Sequence, residues 1–183
     1  MSENRLAEGA AVGVVPPLPL TTYTATWTAK GKDAFWPLMG AFTTGLIQGS
    51  CNLIGFSYDE TDDSASVTFT VRAGVPHIAM LNKDTPEGIE KTAITLGKAE
   101  WFDLGADLRP RTFKHTVYMQ GGENPRREAL ACWMTAMVAS ECRLLFVDAG
   151  GGRDGCYFDF TIGGTRSQLD IAQTIIANYG IGG

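Results

Sequence analysis

The chain has 183 residues and a formal net charge of −5, and it is 44% hydrophobic and 19% charged. This balance excludes an intrinsically disordered chain, and no apolar run approaches the roughly 18 residues that a membrane span needs. The acidic balance provides no general attraction to nucleic acid or anionic lipid. With no signal-peptide pattern and four cysteines at unrelated spacings, we expect a soluble, intracellular protein with reduced, buried thiols.

The first 20 residues show neither helical nor strand periodicity. They end in a run of valine, proline and leucine from Val14 to Leu20, and proline favours extended backbone both at its own position and at the one before it. We therefore predict an extended N-terminal arm over residues 1–20, which is too apolar to be a well-solvated tail.

Beyond the arm, the sequence repeats without gaps at an offset of 91 residues, pairing residues 22–73 with residues 113–164. Each copy begins with an alternating strand and continues with an amphipathic helix and two further strands. Asp33 and Asn124 stand where a helix N-cap is expected, and Pro125 suits the first helical position. The predicted strands are Thr22–Thr28, Cys51–Phe56 and Ser66–Val71 in the first copy, and Phe113–Met119, Cys142–Val147 and Tyr157–Ile162 in the second.

The segments after these strands complete each unit. Residues Thr165–Tyr179 carry an apolar stripe at helical spacing, and we predict a helix there and another over Thr85–Leu96. Lys98–Leu104 is predicted as a fourth strand, and Val75–Leu81 fits either state. The fold class is therefore α+β, with tandem duplicated ferredoxin-like (split βαβ) units over residues 21–105 and 106–183.

Strand alternation predicts which side chains meet the helices. On this interpretation Val67, Phe69, Val71, Phe158, Phe160 and Ile162 face the helices. The opposite, open face then carries Ser66, Thr68, Thr70, Arg72, Tyr157, Asp159 and Thr161. An open face of this kind is wet, binds a ligand or meets a second surface.

Motifs for catalysis or metal binding are weak. His77 and His115 lack cysteine or carboxylate partners at zinc-ligand spacing, and in the ungapped repeat His115 corresponds to Thr24. The glycine run from Ala149 to Gly155 leads into a strand and lacks the Gly-Lys-Ser/Thr ending of a phosphate loop. The acidic loop Asp59–Asp63 lacks calcium-loop spacing. We assign no catalytic residue and expect no metal, cofactor or nucleic-acid partner.

Our main hypothesis is a non-enzymatic structural or assembly protein, such as a component of a particle or virion. The first predicted helix is apolar around much of its girth, and the arm is apolar but unable to form a helix. Both features favour contact with a protein partner or a second copy of the chain. The predicted interface residues are Val15, Pro16, Pro17, Leu18, Pro19, Phe35, Trp36 and Met39.

The alternative hypothesis is a small-molecule-binding protein or a small cofactor-independent enzyme. Here the open faces of the two units meet and enclose a pocket with aromatic walls and a few polar groups. Arg72 would bind an acidic or carbonyl oxygen, while His115 and Asp159 would handle protons. The predicted ligand-binding residues are Trp27, Arg72, His115, Tyr118, Tyr157 and Asp159.

Overall fold

The computed structural model describes residues 19–100, 111–120, 125–151 and 155–178, with the backbone alone described for residues 113–120. Seven strands and four helices form in these ranges. In chain order they are β1 (Thr21–Lys30), α1 (Phe35–Gly49), β2 (Asn52–Thr61), β3 (Ser64–Ala73), α2 (Val75–Leu81), β4 (Ile89–Leu96), β5 (Arg111–Gln120), α3 (Pro125–Ser140), β6 (Arg143–Gly151), β7 (Gly155–Gly164) and α4 (Arg166–Asn178).

The strands form one antiparallel sheet in the order β4-β1-β3-β2-β6-β7-β5. Residues 21–96 run β-α-β-β-α-β with the strand order of the split βαβ arrangement, as the sequence predicts. Strands β5, β7 and β6 repeat the order of β1, β3 and β2. The described chain is therefore a mixed α+β fold with one continuous sheet.

The two halves of the sheet meet at β2 and β6. In the described chain these strands pair at Asn52 and Arg143, a point that we call the junction. Helix α1 packs on β6 as well as on β1 and β3, and α3 packs on β2 as well as on β5 and β7. The helices thus cover one face of the sheet across the junction. The pocket predicted between two opposed open faces is therefore wrong, because those faces lie side by side.

The β2–β3 and β6–β7 hairpins have the same register at the predicted offset. Leu53 pairs with Val71, and Leu144 with Ile162; a bulge follows Leu53 and Leu144 alike. The helices before them end alike too, since Ser50 and Glu141 both adopt left-handed backbone, with φ of 47° and 52°. These two hairpins and the helix ends before them therefore have the same local geometry.

The first strands are displaced by one residue from the ungapped repeat. Ala25 pairs with Phe69 in β1, whereas His115 pairs with Phe160 in β5. The register therefore makes Ala25 the counterpart of His115, and the predicted counterpart Thr24 is wrong.

The core lies between the sheet and the helices. All six strand residues predicted to face the helices are buried. In the first half, the Phe42 ring lies 4.9 Å from Phe69 and 6.1 Å from Trp27 between centroids. In the second half, Trp133 takes the place of Phe42 and lies 5.9 Å from Phe160. Aromatic pairs of this kind add to the free energy gained from burial.

Three local predictions differ from the structure. Thr85–Leu96 does not form a helix, because Ile89–Leu96 is strand β4, which pairs with β1. Lys98 and Ala99 form no strand, Glu100 makes an isolated bridge to Leu20, and residues 101–104 lie outside the described ranges. Asp33 does not cap α1, since Ala34 occupies that position.

Other local predictions agree with the structure, which also assigns the segment that the sequence left open. Val75–Leu81 is helical, Pro125 begins α3, and α4 confirms the predicted helix over its described residues. Tyr179 and the predicted cap Asn124 lie outside the described ranges.

Candidate functional site

A cleft of about 420 Å³ opens between α3 and β2. Ligand pockets of small molecules commonly have this volume or more. Its walls come from both halves of the sequence, because β2 belongs to the first half and α3 to the second. The lining residues are Phe56, Ser57, Tyr58, Arg127, Leu130, Ala131, Met134, Thr135, Val138 and Ala139.

The register of β2 creates one wall of the cleft. Beyond the junction, β2 has no strand on its β6 side in the described chain, so α3 covers that flank. Phe56 and Tyr58 alternate with more exposed residues and pack against the core. The Tyr58 ring is fixed edge-on to Phe35, 5.7 Å away between centroids.

Helix α3 supplies the other wall through residues at helical spacing. Leu130, Met134 and Val138 recur every four residues, which places them along one stripe. Leu130 and Met134 are buried, and Val138 is partly exposed. Together with the two aromatic rings of β2, they give the cleft a mainly apolar lining.

Polar groups lie among these apolar walls. Arg127 and Thr135 come from α3, and Ser57 comes from β2. Beside the cleft, Arg126 forms an ion pair with Glu60 at 3.3 Å and lies over the Phe35 ring. Burial, and then the neighbouring Glu60 carboxylate, raise the pKa of the Tyr58 hydroxyl, so Tyr58 is a neutral group here.

The arrangement suits binding more than acid–base chemistry. Arg127 brings a positive charge to the lining of the cleft, and Thr135 and Ser57 bring hydroxyls. In the described ranges, no group of three or more histidine, cysteine or acidic side chains could hold a metal ion. The cleft therefore combines mainly apolar walls with one cationic side chain and two hydroxyls.

The corresponding groove between α1 and β6 carries a larger side chain. At the offset of 91 residues, Trp36 corresponds to Arg127, and Val147 and Ala149 correspond to Phe56 and Tyr58. Trp36 is partly buried against the core, with its ring 6.5 Å from that of Phe158. A large, partly buried side chain thus stands at the position that Arg127 has on the other side.

The residues predicted to bind a ligand do not form one site. Trp27 is fully buried on the helix side of the sheet, so its predicted place on the open face is wrong. Arg72 forms an ion pair with Glu141 near the junction. Tyr157 and Asp159 are partly exposed on β7. His115 and Tyr118 are described only in backbone, so their predicted roles stay predictions.

The residues predicted for assembly divide into two groups. Val15, Pro16, Pro17 and Leu18 lie outside the described ranges, and Pro19 is partly exposed. Phe35 and Met39 are buried inside the chain, while Trp36 is partly buried against the core. The apolar girth of α1 is therefore accounted for by contacts with both halves of the sheet and with α2.

The cleft was missed because its walls are distant in sequence. In the sequence, Phe56 and Tyr58 have the pattern of ordinary strand residues. Leu130, Met134 and Val138 have that of an ordinary apolar stripe on a helix. The available signal was the replacement of Trp36 by Arg127 at equivalent positions of the repeat. That change removes a large apolar side chain from one side alone.

The four thiols are buried, as the sequence predicts. Burial raises the pKa of Cys51 to about 12 and those of Cys132 and Cys156 to about 11. Burial also raises the pKa of Cys142. Thiols in this state are poor nucleophiles. None of them lines the cleft.

No protein-family model and no curated protein matches the chain. Solved structures with a distant likeness include an unknown protein from Galdieria sulphuraria, 8% identical, with a TM-score of 0.34 over 87% of this chain and 91% of that one. A candidate glycine cleavage system transcriptional repressor is 8% identical, with a TM-score of 0.34 over 87% of this chain and 90% of that one. A protein from Bacteroides thetaiotaomicron is 10% identical, with a TM-score of 0.30 over 88% of this chain and 90% of that one. Scores this low carry no argument about function.

In the described ranges, no helix has the length and apolar character needed to cross a bilayer.

Proposed function

We propose that the protein binds a small molecule with an apolar body and an anionic group in the cleft between α3 and β2. The observation that carries this proposal is the cleft itself, with 420 Å³ of space between two apolar walls and Arg127 among its lining residues. Filling such a space with an apolar body removes both walls from water, and Arg127 fixes the orientation through its charge.

The dye 1-anilinonaphthalene-8-sulfonate is a suitable probe, because it combines fused aromatic rings with one sulfonate. We expect saturable binding at one site per chain, measured by fluorescence titration. Replacing Arg127 by Gln removes the charge that would meet the sulfonate and should weaken binding about tenfold.

The repeat offers a matched control for the shape of the site. Thr135 lines the cleft, and its counterpart Thr44 is an equally exposed threonine on α1. Thr135→Trp should fill the cleft and weaken dye binding at least tenfold, whereas Thr44→Trp should leave it unchanged. Equal binding by the two variants, or no saturable binding by the original chain, would overturn the proposal.

Self-association is a second proposal, favoured by exposed apolar residues. Ile94 and Leu96 on β4 are 55% and 60% exposed, and Leu145 and Phe146 on β6 are 42% and 51% exposed. Apolar groups of this kind on a surface are common contact points for a second copy or another protein. Sedimentation analysis tests the proposal: a monomer at micromolar concentration, unchanged by deletion of residues 2–18, would contradict it.

A further inference from the structure

A row of polar residues crosses the open face of the sheet at the junction. Asn52 pairs with Arg72 on one side and with Arg143 on the other. Directly paired residues of antiparallel strands project to the same face, and the adjacent residues Leu53 and Leu144 are buried on the helix side. At a strand spacing of about 4.8 Å, the two arginine Cα atoms lie about 10 Å apart. Their long side chains can therefore reach one ligand.

One carboxylate of the chain lies in this cluster. Glu141 forms an ion pair with Arg72, and its backbone carbonyl accepts hydrogen bonds from Asn52 Nδ2 at 3.0 Å and Gln168 Nε2 at 3.3 Å. Groups from β2, β3 and α4 thus hold Glu141 in place. We name Asn52, Arg72, Glu141 and Arg143 the junction cluster.

Arg143 has no such partner. Its side chain makes no hydrogen bond or ion pair with any described part of the chain, and its Nε is buried without a hydrogen-bond partner. The Cys51 thiol is close enough to interact electrostatically, but burial raises the pKa of that thiol to about 12, so it is neutral at pH 7. A partly buried guanidinium without a counter-charge is costly, and burial lowers its pKa.

We propose that the junction cluster binds the carboxylate group of a small molecule, with Arg143 as its main contact. Two arginines and one glutamate leave a single positive charge, which one carboxylate neutralises. A phosphate dianion would overcompensate that charge and be repelled by Glu141. None of the four residues of the junction cluster lines the cleft, so this site is separate from that of the proposed function.

Acetate and inorganic phosphate serve as probes in thermal unfolding, with chloride holding the ionic strength constant. At ten times its dissociation constant, acetate should raise the midpoint temperature of the full chain by about 3 °C. Arg143→Met should abolish this shift. Arg166→Met removes an exposed arginine of α4 that pairs with Asp170, and it should keep the shift. No acetate shift in the original chain, or an equal shift in the Arg143→Met variant, would overturn the proposal.

A second variant keeps the proposal testable if Arg143→Met fails to fold. Glu141→Gln removes the competing carboxylate and its ion pair with Arg72, so acetate should bind about tenfold more tightly and phosphate should become a ligand. If Arg143 merely offsets the carbonyl end of α1, then Glu141→Gln changes neither response. That result, or a preference of the original chain for phosphate over acetate, would contradict the proposed site.

Discussion

The two grooves that flank the junction have equivalent positions but opposite contents. In the α1–β6 groove, the helix carries a large residue, Trp36, whose ring lies 6.5 Å from that of Phe158, and the matching strand residues, Val147 and Ala149, are smaller. In the α3–β2 cleft, large strand residues face a helix that carries Arg127 in place of the tryptophan. Equivalent backbones thus give a packed interior on one side and a ligand-sized space on the other. A few side chains, more than the fold, decide where this molecule can bind.

Alkaline unfolding should separate the halves most strongly, because three of the four buried thiols belong to the second half. A thiol whose pKa is raised in the folded state stabilises that state less and less above its unfolded pKa near 9. The free energy of unfolding should therefore fall between about pH 9 and 11. Cys132 and Cys156 correspond to Ala41 and Ala65.

The double variant Cys132→Ala/Cys156→Ala adopts the first-half residues at both positions. It should lose less stability than the original chain between pH 7 and pH 10.5, as measured by urea denaturation. Equal losses in both proteins would show that these thiols do not control the alkaline transition.

Truncation of the matched core residues Phe42 and Trp133 should have the next largest effect. Each contacts the central phenylalanine of its half, and each variant to Ala should lower the free energy of unfolding by about 3–5 kcal/mol. Urea denaturation measures both. A loss below about 1 kcal/mol for either one would show that the halves are not packed alike.

Trp36→Arg should convert the filled groove into a copy of the cleft. The lost burial should lower the free energy of unfolding by about 2 kcal/mol. Fluorescence titration should then find two dye sites per chain in place of one. A single remaining site would show that dye binding also requires the aromatic strand residues Phe56 and Tyr58, which the α1–β6 groove lacks.

The reciprocal change, Arg127→Trp, should fill the cleft. Cavity filling of this kind commonly stabilises a protein by about 1 kcal/mol. Dye binding should be lost while the midpoint of urea unfolding rises. A variant that still binds the dye would place its site elsewhere.

The smallest effect should come from the exposed ion pair of Lys30 and Glu90, which lies wholly in the first half at 2.9 Å. A double-mutant cycle should give about 0.5 kcal/mol or less. The pair of Glu60 and Arg126 joins the two halves and is less exposed, so its coupling should be larger. A reversed order would show that burial does not set the strength of these pairs.

Much of the fold follows from local pattern in the sequence. Phe69 and Phe160 each alternate with polar neighbours. This alternation predicts which side chains of both hairpins face the helices. Strand β4 was mistaken for a helix because Ile89, Ala93 and Leu96 recur at helical spacing. Pairing with the open edge of β1 decided the outcome, in agreement with the β-branched residues that lie between them.

The site was harder to predict because it depends on how the halves meet. Nothing local to Phe56 or Leu130 indicates that they face each other across a space. Trp27 illustrates a different error, the choice of the wrong face. Strict alternation puts Trp27 and Ala25 on one face of β1, and Thr24 and Thr26 on the other face. The sequence separates those two sets but does not by itself say which of them is buried.

The junction has a mechanical consequence. In the described chain, the two half-sheets share one residue pair, Asn52 with Arg143, so the packing of α1 and α3 across the junction, more than backbone hydrogen bonding, sets the angle between them. The cleft has one wall on each half, and its width therefore varies with that angle. A molecule bound between α3 and β2 would contact both halves and fix the angle between the two half-sheets. Binding in the cleft would therefore change the shape of the whole chain.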